Sequence, residues 1–428
     1  MSTHFGTLAE ALAYQQSVHA RSIDLGLERV REVAARLGLL EQRCPAVIVG
    51  GTNGKGSTAC CLAALLSACG YRAGLFTSPH LVRYGERVQI DGRSVDDAAL
   101  LREFERIERA RGAVTLTFFE YSTLAALAVF REAGVTAMVL EVGLGGRLDA
   151  TNIIDADVAV LCSVGLDHRD WLGETLAQIG AEKAGIFRAG QAVVLGSADM
   201  PASVWRCAEA LRCRVFSAQR DFSVHIAGEG AGAEPWEYRS AWCMLQDLPA
   251  PALAGAIQYH NAASALTALH LLGAPGACDR ERLAPALRSL HLPGRFQIVP
   301  GAVEWILDVA HNEPAAAVLA AALRARPVRG RTLAVAGMLA DKDVAAVARA
   351  LDREIDHWLL ATITDEPRGL DAAALQARLP PVRGSVELTA DVAAACIRAS
   401  ALASAGDRIV VLGSFHVVGP ALQWLGLY

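Results

Sequence analysis

A glycine-rich segment at residues 50–58 gives the strongest indication of chemistry in the sequence. It reads Gly-Gly-Thr-Asn-Gly-Lys-Gly-Ser-Thr and directly follows a short apolar run. Glycines let successive backbone N–H groups point into a concavity, and a following helix would add its own free N–H groups. Lys55 could reach the outer phosphates of a nucleotide, and the hydroxyl of Ser57 or Thr58 could bind Mg²⁺. The segment therefore predicts a nucleoside triphosphate site.

The match to the usual phosphate-loop pattern is imperfect. Val49 stands where the first glycine is expected, and Gly56 separates the lysine from the hydroxyl. The alternative is a tight strand-to-helix turn with a surface lysine. The loop alone does not separate a kinase, a switch GTPase and a ligase, but the sequence has no Asn-Lys-x-Asp for guanine recognition.

A carboxylate and two aromatic rings are the next candidates. Glu141 lies at the end of an apolar run, where a carboxylate is costly unless a partner such as Mg²⁺ awaits it. The alternative is a structural ion pair. Phe118 and Phe119 offer a ring that could stack on a flat heteroaromatic ligand, and the alternative is core packing.

Composition limits the class of protein that carries these residues. The chain has 428 residues, 53% of them hydrophobic and 20% charged, which predicts two to three globular domains. A net charge of -5 gives no overall basic field for nucleic acid. Ten cysteines without a pairing rhythm indicate a reducing compartment. The opening residues show no secretion signal, and polar residues interrupt the uncharged stretches 248–278 and 409–428. We therefore expect a cytoplasmic protein without membrane contact.

Apolar runs alternate with helical patterns over the first two thirds of the chain. Predicted strands at 45–49, 137–142, 158–162 and 192–195 are separated by helices such as 57–68 and 121–133. This rhythm is typical of an α/β fold with a mostly parallel sheet covered on both faces. Residues 216–253 have shorter alternating runs and predict a small antiparallel patch.

A second α/β series follows the Pro-Gly pair at 293–294. Predicted strands at 305–309, 333–337, 359–362 and 409–412 alternate with alanine-rich helices such as 314–325. We therefore predict an ATP-binding P-loop domain at 1–293, carrying the acceptor site, and a smaller Rossmann-like α/β domain at 296–428.

Segments along nearly the whole chain resemble one family. The loop at 51–57 resembles that of the Mur ligase superfamily, and Gly-Ser after the lysine is typical of its folate branch. The other matching segments are IDLGLERV at 23–30, TSPHL at 77–81, TFFE at 117–120, EVGLGGRLDATN at 141–152, DHRDWLG at 167–173, EKAGI at 182–186, HN at 260–261, PGR at 293–295, DVAHN at 308–312 and GSFH at 413–416. The stretch 147–152 looks like the bifunctional enzymes of that branch.

The resemblance implies an ATP-dependent amide-bond-forming ligase. Such an enzyme phosphorylates a carboxylate, and the α-amine of L-glutamate then attacks the acyl phosphate. The implied acceptors are dihydropteroate and tetrahydrofolate-type folates. The implied cofactors are two Mg²⁺ ions, with Mn²⁺ possible at a histidine ligand, and no organic cofactor. A monomer is expected, with no nucleic-acid partner. The implied fold is a Mur-ligase-type ATPase domain followed by a glutamate-ligase domain.

The resemblance also assigns roles to individual residues. Catalytic roles fall to Lys55, Glu141, His168, Lys183 and His311. ATP contacts fall to Asn53, Gly54, Lys55, Gly56, Ser57, Thr58, Asn261, Arg295 and Asp308. Pterin or folate contacts fall to Thr77, Ser78, Pro79, His80, Thr117, Phe119 and Asp149, and glutamate contacts to His311 and Ser414. Metal ligands would be Ser57, Glu141, His168 and Lys183, the last as a carbamate.

Blander roles remain open for several of these residues. His168 could be a hydrogen-bonded loop histidine, and Lys183 an ordinary ion-paired lysine. Asp308 and His311 lie in a short loop of a kind that often caps a helix.

Three other functions also remain open. The first is folylpolyglutamate synthesis alone, and the second is a Mur-type ligase with another acceptor such as a murein precursor. The Gly-Ser pair after Lys55 and the two phenylalanines argue against the second. The third is a non-catalytic nucleotide-dependent binding module. The joint presence of Glu141, His168 and Lys183 argues against it, because such a module needs no second metal site.

Overall fold

An eight-stranded sheet forms the centre of the first part of the molecule. The computed structural model describes residues 4–41, 44–226 and 234–428. The strands are β1 (Ala46–Gly50), β2 (Ala73–Phe76), β3 (Val88–Ile90), β4 (Arg93–Ser94), β5 (Ala137–Glu141), β6 (Val158–Leu161), β7 (Ala192–Leu195) and β8 (Arg214–Ser217). Their order is β4-β3-β2-β5-β1-β6-β7-β8, and only the pairings of β3 are antiparallel. The predicted mostly parallel sheet is confirmed.

Helices cover both faces of this sheet. They are α1 (Leu8–Val18), α2 (Glu28–Arg36), α3 (Lys55–Ala68), α4 (Asp97–Arg111), α5 (Phe118–Glu132), α6 (Arg169–Leu172), α7 (Leu176–Ala184), α8 (Ala202–Ala210), α9 (Ile257–Leu271) and α10 (Arg280–Arg288). Ile48 of β1 packs in one hydrophobic cluster with α2, α4 and α5, whereas its neighbours Val47 and Val49 pack in another with α3 and α9. Both faces of the strand are buried, which explains its continuous apolar sequence.

A three-stranded antiparallel sheet lies beside α9. Its strands are β9 (Phe222–Ile226), β10 (Trp236–Ser240) and β11 (Met244–Leu248). The Tyr238 hydroxyl lies 3.0 Å from that of Thr267, which anchors the sheet to the helix. The predicted antiparallel patch is confirmed for these strands, but residues 216–217 belong to β8 of the large sheet. Residues 227–233 lie outside the described part of the chain.

A six-stranded sheet forms the centre of the second part. Its strands are β12 (Gln297–Val299), β13 (Glu304–Leu307), β14 (Thr332–Ala336), β15 (His357–Ala361), β16 (Ser385–Thr389) and β17 (Arg408–Leu412), in the order β12-β13-β17-β14-β15-β16. Only β12 runs antiparallel to its neighbour. The covering helices are α11 (Glu313–Ala325), α12 (Val344–Leu351), α13 (Ala372–Arg378), α14 (Val392–Leu402) and α15 (Phe415–Trp424). The boundary at residues 293–296 stays a prediction.

Two helices begin before their predicted starts. The helix α5 begins at Phe118 because Thr117 and Glu120 form a reciprocal capping box. The helix α3 begins at Lys55, two residues before the predicted start, so the loop lysine occupies its first turn. Within the described part of the chain, no helix is long and apolar enough to cross a membrane.

Candidate active site

Two glycines shape the turn between β1 and α3. Gly51 has φ +146° and Gly54 has φ +87°, conformations that side-chain-bearing residues rarely adopt. A Cβ atom on Gly54 would lie 2.8 Å from Oδ1 of Asn261, and one on Gly51 would lie 3.1 Å from the Ser163 amide nitrogen. The loop thus packs against α9 on one side and the end of β6 on the other. A residue with a side chain would be strained at both positions, by its φ and by these close neighbours.

Two lysines converge on this loop. Lys55 Nζ donates to the carbonyl oxygens of Gly51 and Thr52, each at 3.1 Å, and Lys183 Nζ of α7 donates to Gly51 at 3.0 Å. Lys183 is 4% exposed, and burial together with the Lys55 charge lowers its pKa to about 7. The amine of Lys183 is therefore far easier to deprotonate than an ordinary lysine.

Glu141 lies directly opposite the first turn of α3. Its Oε2 accepts from the Ser78 amide at 3.0 Å. A Cβ atom on Gly56 would lie 3.5 Å from Glu141 Oε1 and 3.7 Å from Nη2 of Arg295. Burial raises the pKa of Glu141, while Lys55, Arg295 and Arg87 act in the opposite direction. Three cations thus surround one buried carboxylate, which leaves an excess of positive charge for an anionic ligand.

The donor set around Glu141 fits a divalent cation that also binds a phosphate. Ser57 lies in the first turn of α3 and is 4% exposed. The Thr58 hydroxyl instead faces β6, 3.4 Å from Cys162 Sγ, and the Thr58 amide donates to Gly54 within the helix. No group of three His, Cys, Asp or Glu side chains that could hold a metal occurs in the described residues. An ion here would need phosphate oxygens beside Ser57 and Glu141, which suits Mg²⁺.

His168 stands at the start of α6 in a left-handed conformation, with φ +51°. Burial lowers its pKa to about 3, against the opposing effect of the Asp167 charge. The imidazole is thus neutral at physiological pH and keeps a free electron pair, as a metal ligand requires. Its Nε2 lies 3.9 Å from Asp167 Oδ2, too far for a hydrogen bond.

Asp167 joins the first sheet to the second. Its Oδ1 accepts from Lys342 Nζ at 2.6 Å, and its Oδ2 accepts from Asn312 Nδ2 at 2.9 Å. His311 Nε2 lies 3.4 Å from the same Oδ2. Asn312 also exchanges side-chain hydrogen bonds with Asn53 of the phosphate loop, at 3.0 and 3.2 Å. The predicted residues Asn53 and His311 therefore meet at one interface.

Sequence reasoning assigned no role to Asp167, Lys342 or Arg87. A compositional signal for Lys342 was present, because the chain contains only three lysines among 40 basic residues. These are Lys55, Lys183 and Lys342, and all three have partners at this site. All the other basic residues are arginines. The three lysines therefore mark positions that use a compact primary amine instead of a planar guanidinium.

The two neighbouring phenylalanines have different environments. Phe118 packs edge-on against Tyr84, with ring centroids 5.8 Å apart, and lies under the Arg87 guanidinium. Phe119 is half-buried, 5.8 Å from the Phe76 ring, and its ring lies so close to Gly143 that a Cβ there would be 2.5 Å from Cζ. Core packing thus accounts for Phe118, whereas Phe119 borders the loop after β5.

The predicted acceptor segment follows β2. The Thr77 amide donates to the Arg87 carbonyl at 2.9 Å, Ser78 binds Glu141, and the Ser78–Pro79 peptide bond is cis. His80 Nδ1 accepts from Arg87 Nε at 2.8 Å, and burial lowers the pKa of His80 to about 4. The segment therefore connects directly to the carboxylate at the end of β5.

Thr117 and Asp149 already serve local structure. Thr117 caps α5, and Asp149 Oδ1 accepts from the Thr151 amide at 3.0 Å and its hydroxyl at 2.6 Å. Asp149 Oδ2 accepts from the Leu144 amide at 2.9 Å. Asp149 thus holds the loop 144–151 beside Phe119. Its direct contact with a pterin stays a prediction.

The remaining predicted residues lie around the second sheet and α9. Arg295 lies 5.0 Å from the Phe415 ring centroid, and Asp308 accepts from the amides of Phe296 and Ala310, each at 2.8 Å. Ser414 caps α15 and accepts from the His416 amide at 3.1 Å, whereas Asn261 donates to Gln258 at 2.9 Å. The ribose role of Asp308 and the glutamate role of Ser414 stay predictions.

Comparison with known proteins agrees with this architecture. Residues 49–227 match the Mur ligase middle domain, and residues 294–415 match the Mur ligase glutamate ligase domain. The dihydrofolate synthase/folylpolyglutamate synthase of Escherichia coli (strain K12) is 42% identical over 97% of this chain and 95% of its own.

Solved structures give the same result. That of E. coli FolC in complex with DHPP and ADP has a TM-score of 0.92 at 41% identity, covering 98% of each chain. A bifunctional folylpolyglutamate synthase/dihydrofolate synthase with Mn, AMPPNP and L-glutamate bound has a TM-score of 0.90 at 40% identity, covering 100% of each chain. The fold and site thus define an ATP-dependent ligase with Mur ligase domains. Within that class, the chain belongs to the dihydrofolate synthase/folylpolyglutamate synthase family.

Proposed function

We propose that the protein ligates L-glutamate to dihydropteroate, giving dihydrofolate, and to reduced folates, giving polyglutamates. ATP drives both reactions through an acyl phosphate. The observation that carries the proposal is the cluster of Lys55, Arg295 and Arg87 around the buried Glu141, at the junction of the phosphate loop and the segment after β2. A polyanionic nucleotide and a carboxylate acceptor together match that charge.

The residues of the loop perform the first half of the reaction. The amides at the start of α3 and the Lys55 ammonium hold the phosphates of ATP, and the Arg295 guanidinium neutralises the transferring phosphoryl group. The acceptor carboxylate attacks the γ-phosphorus, ADP leaves, and an acyl phosphate forms. Positioning and charge neutralisation supply most of the rate in such transfers.

The interface between the two sheets performs the second half. The glutamate amine attacks the acyl carbon, and the phosphate leaves with the oxygen that belonged to the acceptor carboxylate. His311, with Nε2 directed at Asp167, stands where the second sheet meets the phosphate loop. We assign His311 and Ser414 to binding the incoming glutamate, with Asn261 and Asp308 on the nucleotide.

Ser57 and Glu141 would hold one Mg²⁺ ion, and His168 with carbamylated Lys183 would hold a second, with Mn²⁺ as an alternative. When bound, divalent cations supply charge neutralisation for the phosphates. The buried amine of Lys183 supports carbamylation, because only a neutral amine adds CO₂ and burial lowers the pKa of Lys183 to about 7. The carbamate would replace a buried cation with an anion.

The acceptor would lie between Thr77, Ser78, Pro79 and His80 on one side and Phe119 on the other. The half-buried Phe119 ring supports stacking on a pterin, and Thr117 lies beside it. Asp149 would also contact the pterin. Its hydrogen bonds with Leu144 and Thr151 would then have to rearrange. A polyglutamate synthase without dihydropteroate activity is the alternative.

Release of ADP by the purified protein separates these functions. The protein receives ATP, Mg²⁺ and L-glutamate, and only the acceptor changes between dihydropteroate and tetrahydrofolate, with product mass measured alongside. Turnover with both is expected. Turnover with tetrahydrofolate alone would reduce the function to polyglutamate synthesis. No ADP release with either acceptor would contradict the proposal.

We further propose a cytoplasmic monomer with domains at 1–293 and 296–428. All ten cysteines are free thiols, as a reducing compartment permits. Light scattering coupled to gel filtration would give the mass of the particle in solution, and a mass near 45.2 kDa is expected for a monomer.

A further inference from the structure

Arg87 is a buried cation without a carboxylate partner in contact. The residue is 8% exposed and precedes β3. Among the described residues, no Asp or Glu oxygen lies within 4.0 Å of its guanidinium. The other buried arginine of the described residues, Arg408, also lacks a carboxylate partner, but its terminal nitrogens donate to the Arg326 carbonyl at 2.7 Å and the Thr332 hydroxyl at 2.9 Å. An unpaired buried charge is costly, so its retention calls for an anion from elsewhere.

The contacts of Arg87 orient its free end. Its Nε donates to His80 Nδ1 at 2.8 Å, and the guanidinium carbon lies 5.5 Å from the Tyr84 ring centroid and 5.3 Å from that of Phe118. These contacts fix the guanidinium and use one of its five N–H groups. In the described part of the chain, its terminal nitrogens have no hydrogen-bond partner and are not sealed from solvent.

The neighbouring carboxylates cannot supply the missing anion. Glu86 turns its two oxygens to the amides of Leu81 and Val82, at 2.8 and 2.9 Å. Glu141 interacts electrostatically with Arg87, but it shares its single charge with Lys55 and Arg295 and is held by the Ser78 amide. One carboxylate therefore faces three cations.

The location of Arg87 identifies the anion. The Thr77 amide donates to the Arg87 carbonyl, and His80 binds its side chain, so the segment 77–80 lies directly against it. On the other side, Phe118 precedes Phe119 at the start of α5. Arg87 thus lies between the two parts of the proposed acceptor site, and its charge interacts with that of Glu141.

We propose that Arg87 binds the reacting carboxylate of the acceptor and holds it for attack on the γ-phosphorus. The inference rests on the proposed function and adds a substrate-binding residue to it. Two parallel N–H groups of a guanidinium match the two oxygens of a carboxylate. The same charge would stabilise the acyl phosphate formed there.

Equilibrium binding tests this role with a charged and an uncharged ligand. The probes are dihydropteroate and its carboxamide, measured by calorimetry without ATP. The wild-type protein should bind the carboxylate about 10- to 100-fold more tightly, the range expected for a charged hydrogen-bonded pair. Arg87→Met should remove that preference by weakening dihydropteroate binding alone, and Arg87→Lys should keep part of it.

The matched control is Arg83→Met. Arg83 lies four residues earlier on the same segment, is exposed, and lies 5.9 Å from the Tyr428 ring centroid. Its replacement should leave the carboxylate preference intact. Thermal unfolding should show that Arg87→Met is as stable as the wild type or more stable, because the variant removes an uncompensated buried charge.

Three outcomes would overturn the inference. If Arg87→Met weakens the binding of dihydropteroate and of its carboxamide equally, Arg87 has a structural role. An unchanged preference, with weaker binding of tetrahydrofolate alone, would place Arg87 on the non-reacting carboxylate of the glutamate tail. If the wild type turns over dihydropteroate and either result appears, only this inference fails. If the wild type neither binds nor turns over dihydropteroate, the proposed function fails with it.

Discussion

At the scale of single residues, the site contains buried charges that lack full compensation until a charged ligand binds. Lys55 and Lys183 donate to the same Gly51 carbonyl, and Glu141 is buried with three cations nearby. Such an arrangement stores positive potential for an anionic substrate, as active sites often do. The function therefore explains features that stability alone would not select.

Lys55→Met should lower kcat by at least about 100-fold, the loss typical of removing one main charge-stabilising donor. The phosphates would lose the cation nearest the loop, while the helix α3 would remain because Met is a good helix former. Steady-state ADP release measures this, and circular dichroism checks the fold. A kcat within a few-fold of the wild type would contradict the phosphate role of Lys55.

Lys183→Ala should reduce turnover to background, with partial recovery on adding acetate or formate. A short carboxylate would occupy the space of a carbamate and restore the negative charge. The control is Lys55→Met, which the same carboxylates should not rescue. Failure of rescue at every carboxylate concentration would count against the carbamate.

Carbon-13 bicarbonate gives a direct view of the same modification. The chain has only three lysines, so a carbamate resonance has few possible origins. A signal should appear in the wild type and vanish in Lys183→Ala. Its persistence in that variant would assign the carbamate to another amine.

At the scale of elements, the sequence predicted those with strong local signals. The buried strands β1, β5, β6 and β7 were predicted nearly to the residue, because strands covered on both faces are continuously apolar. The strand β16 was missed because it is a half-exposed edge strand whose polar residues interrupt any apolar run. The strands β3 and β4 have only three and two residues, too few for a recognisable sequence pattern. They form because they pair with neighbouring strands.

The close approach of Gly143 to Phe119 gives a test at this scale. Gly143→Ala would place a Cβ 2.5 Å from Phe119 Cζ and push the ring out of position, at a cost of roughly 1–3 kcal/mol. We expect a higher KM for dihydropteroate with little change in the KM for ATP. Adding Phe119→Leu should relieve the clash and recover stability without recovering acceptor binding.

Equal effects of Gly143→Ala on the two KM values would mean that the loop after β5 serves both substrates. Recovery of acceptor binding in the double variant would show that the Phe119 ring does not stack on the pterin. Coupling between the two substitutions is expected because the residues are in contact.

At the scale of the whole molecule, Asp167 connects the phosphate loop to the second sheet. Its partners Lys342, Asn312 and His311 all come from the second part of the chain, and Asn53 binds Asn312 in turn. Sequence reasoning could not predict this junction, because contacts between distant segments leave no periodic pattern. It predicted the members His311 and Asn53 through family resemblance, and it missed Lys342.

Breaking the Asp167–Lys342 pair should destabilise the molecule by about 3 kcal/mol, the low end for a buried pair, since each remaining charge loses its shortest partner but Lys342 keeps Asp341 at 3.5 Å. The two side chains are 8% and 5% exposed. Asp167→Asn and Lys342→Met should each lower the urea midpoint, and the double variant should recover much of the loss. The exposed pair Arg398–Glu387 provides the control, for which Arg398→Met should cost about 0–1 kcal/mol.

Equal midpoints for Asp167→Asn and Arg398→Met would show that the buried pair contributes no more than a surface pair. Additive losses in the double variant would show that the two charges act through other partners. Either result would mean that the Asp167–Lys342 ion pair does not stabilise the contact between the two sheets.

Transfer of oxygen from the acceptor to phosphate tests the central claim most directly. Dihydropteroate labelled with ¹⁸O in its carboxylate is incubated with the protein, ATP, Mg²⁺ and L-glutamate, and the released phosphate is analysed by mass spectrometry. One ¹⁸O atom per phosphate is predicted, in step with dihydrofolate formation, because the acyl phosphate carries a carboxylate oxygen away. Phosphate without ¹⁸O would mean that ATP is hydrolysed by water, and it would contradict the proposed ligase reaction.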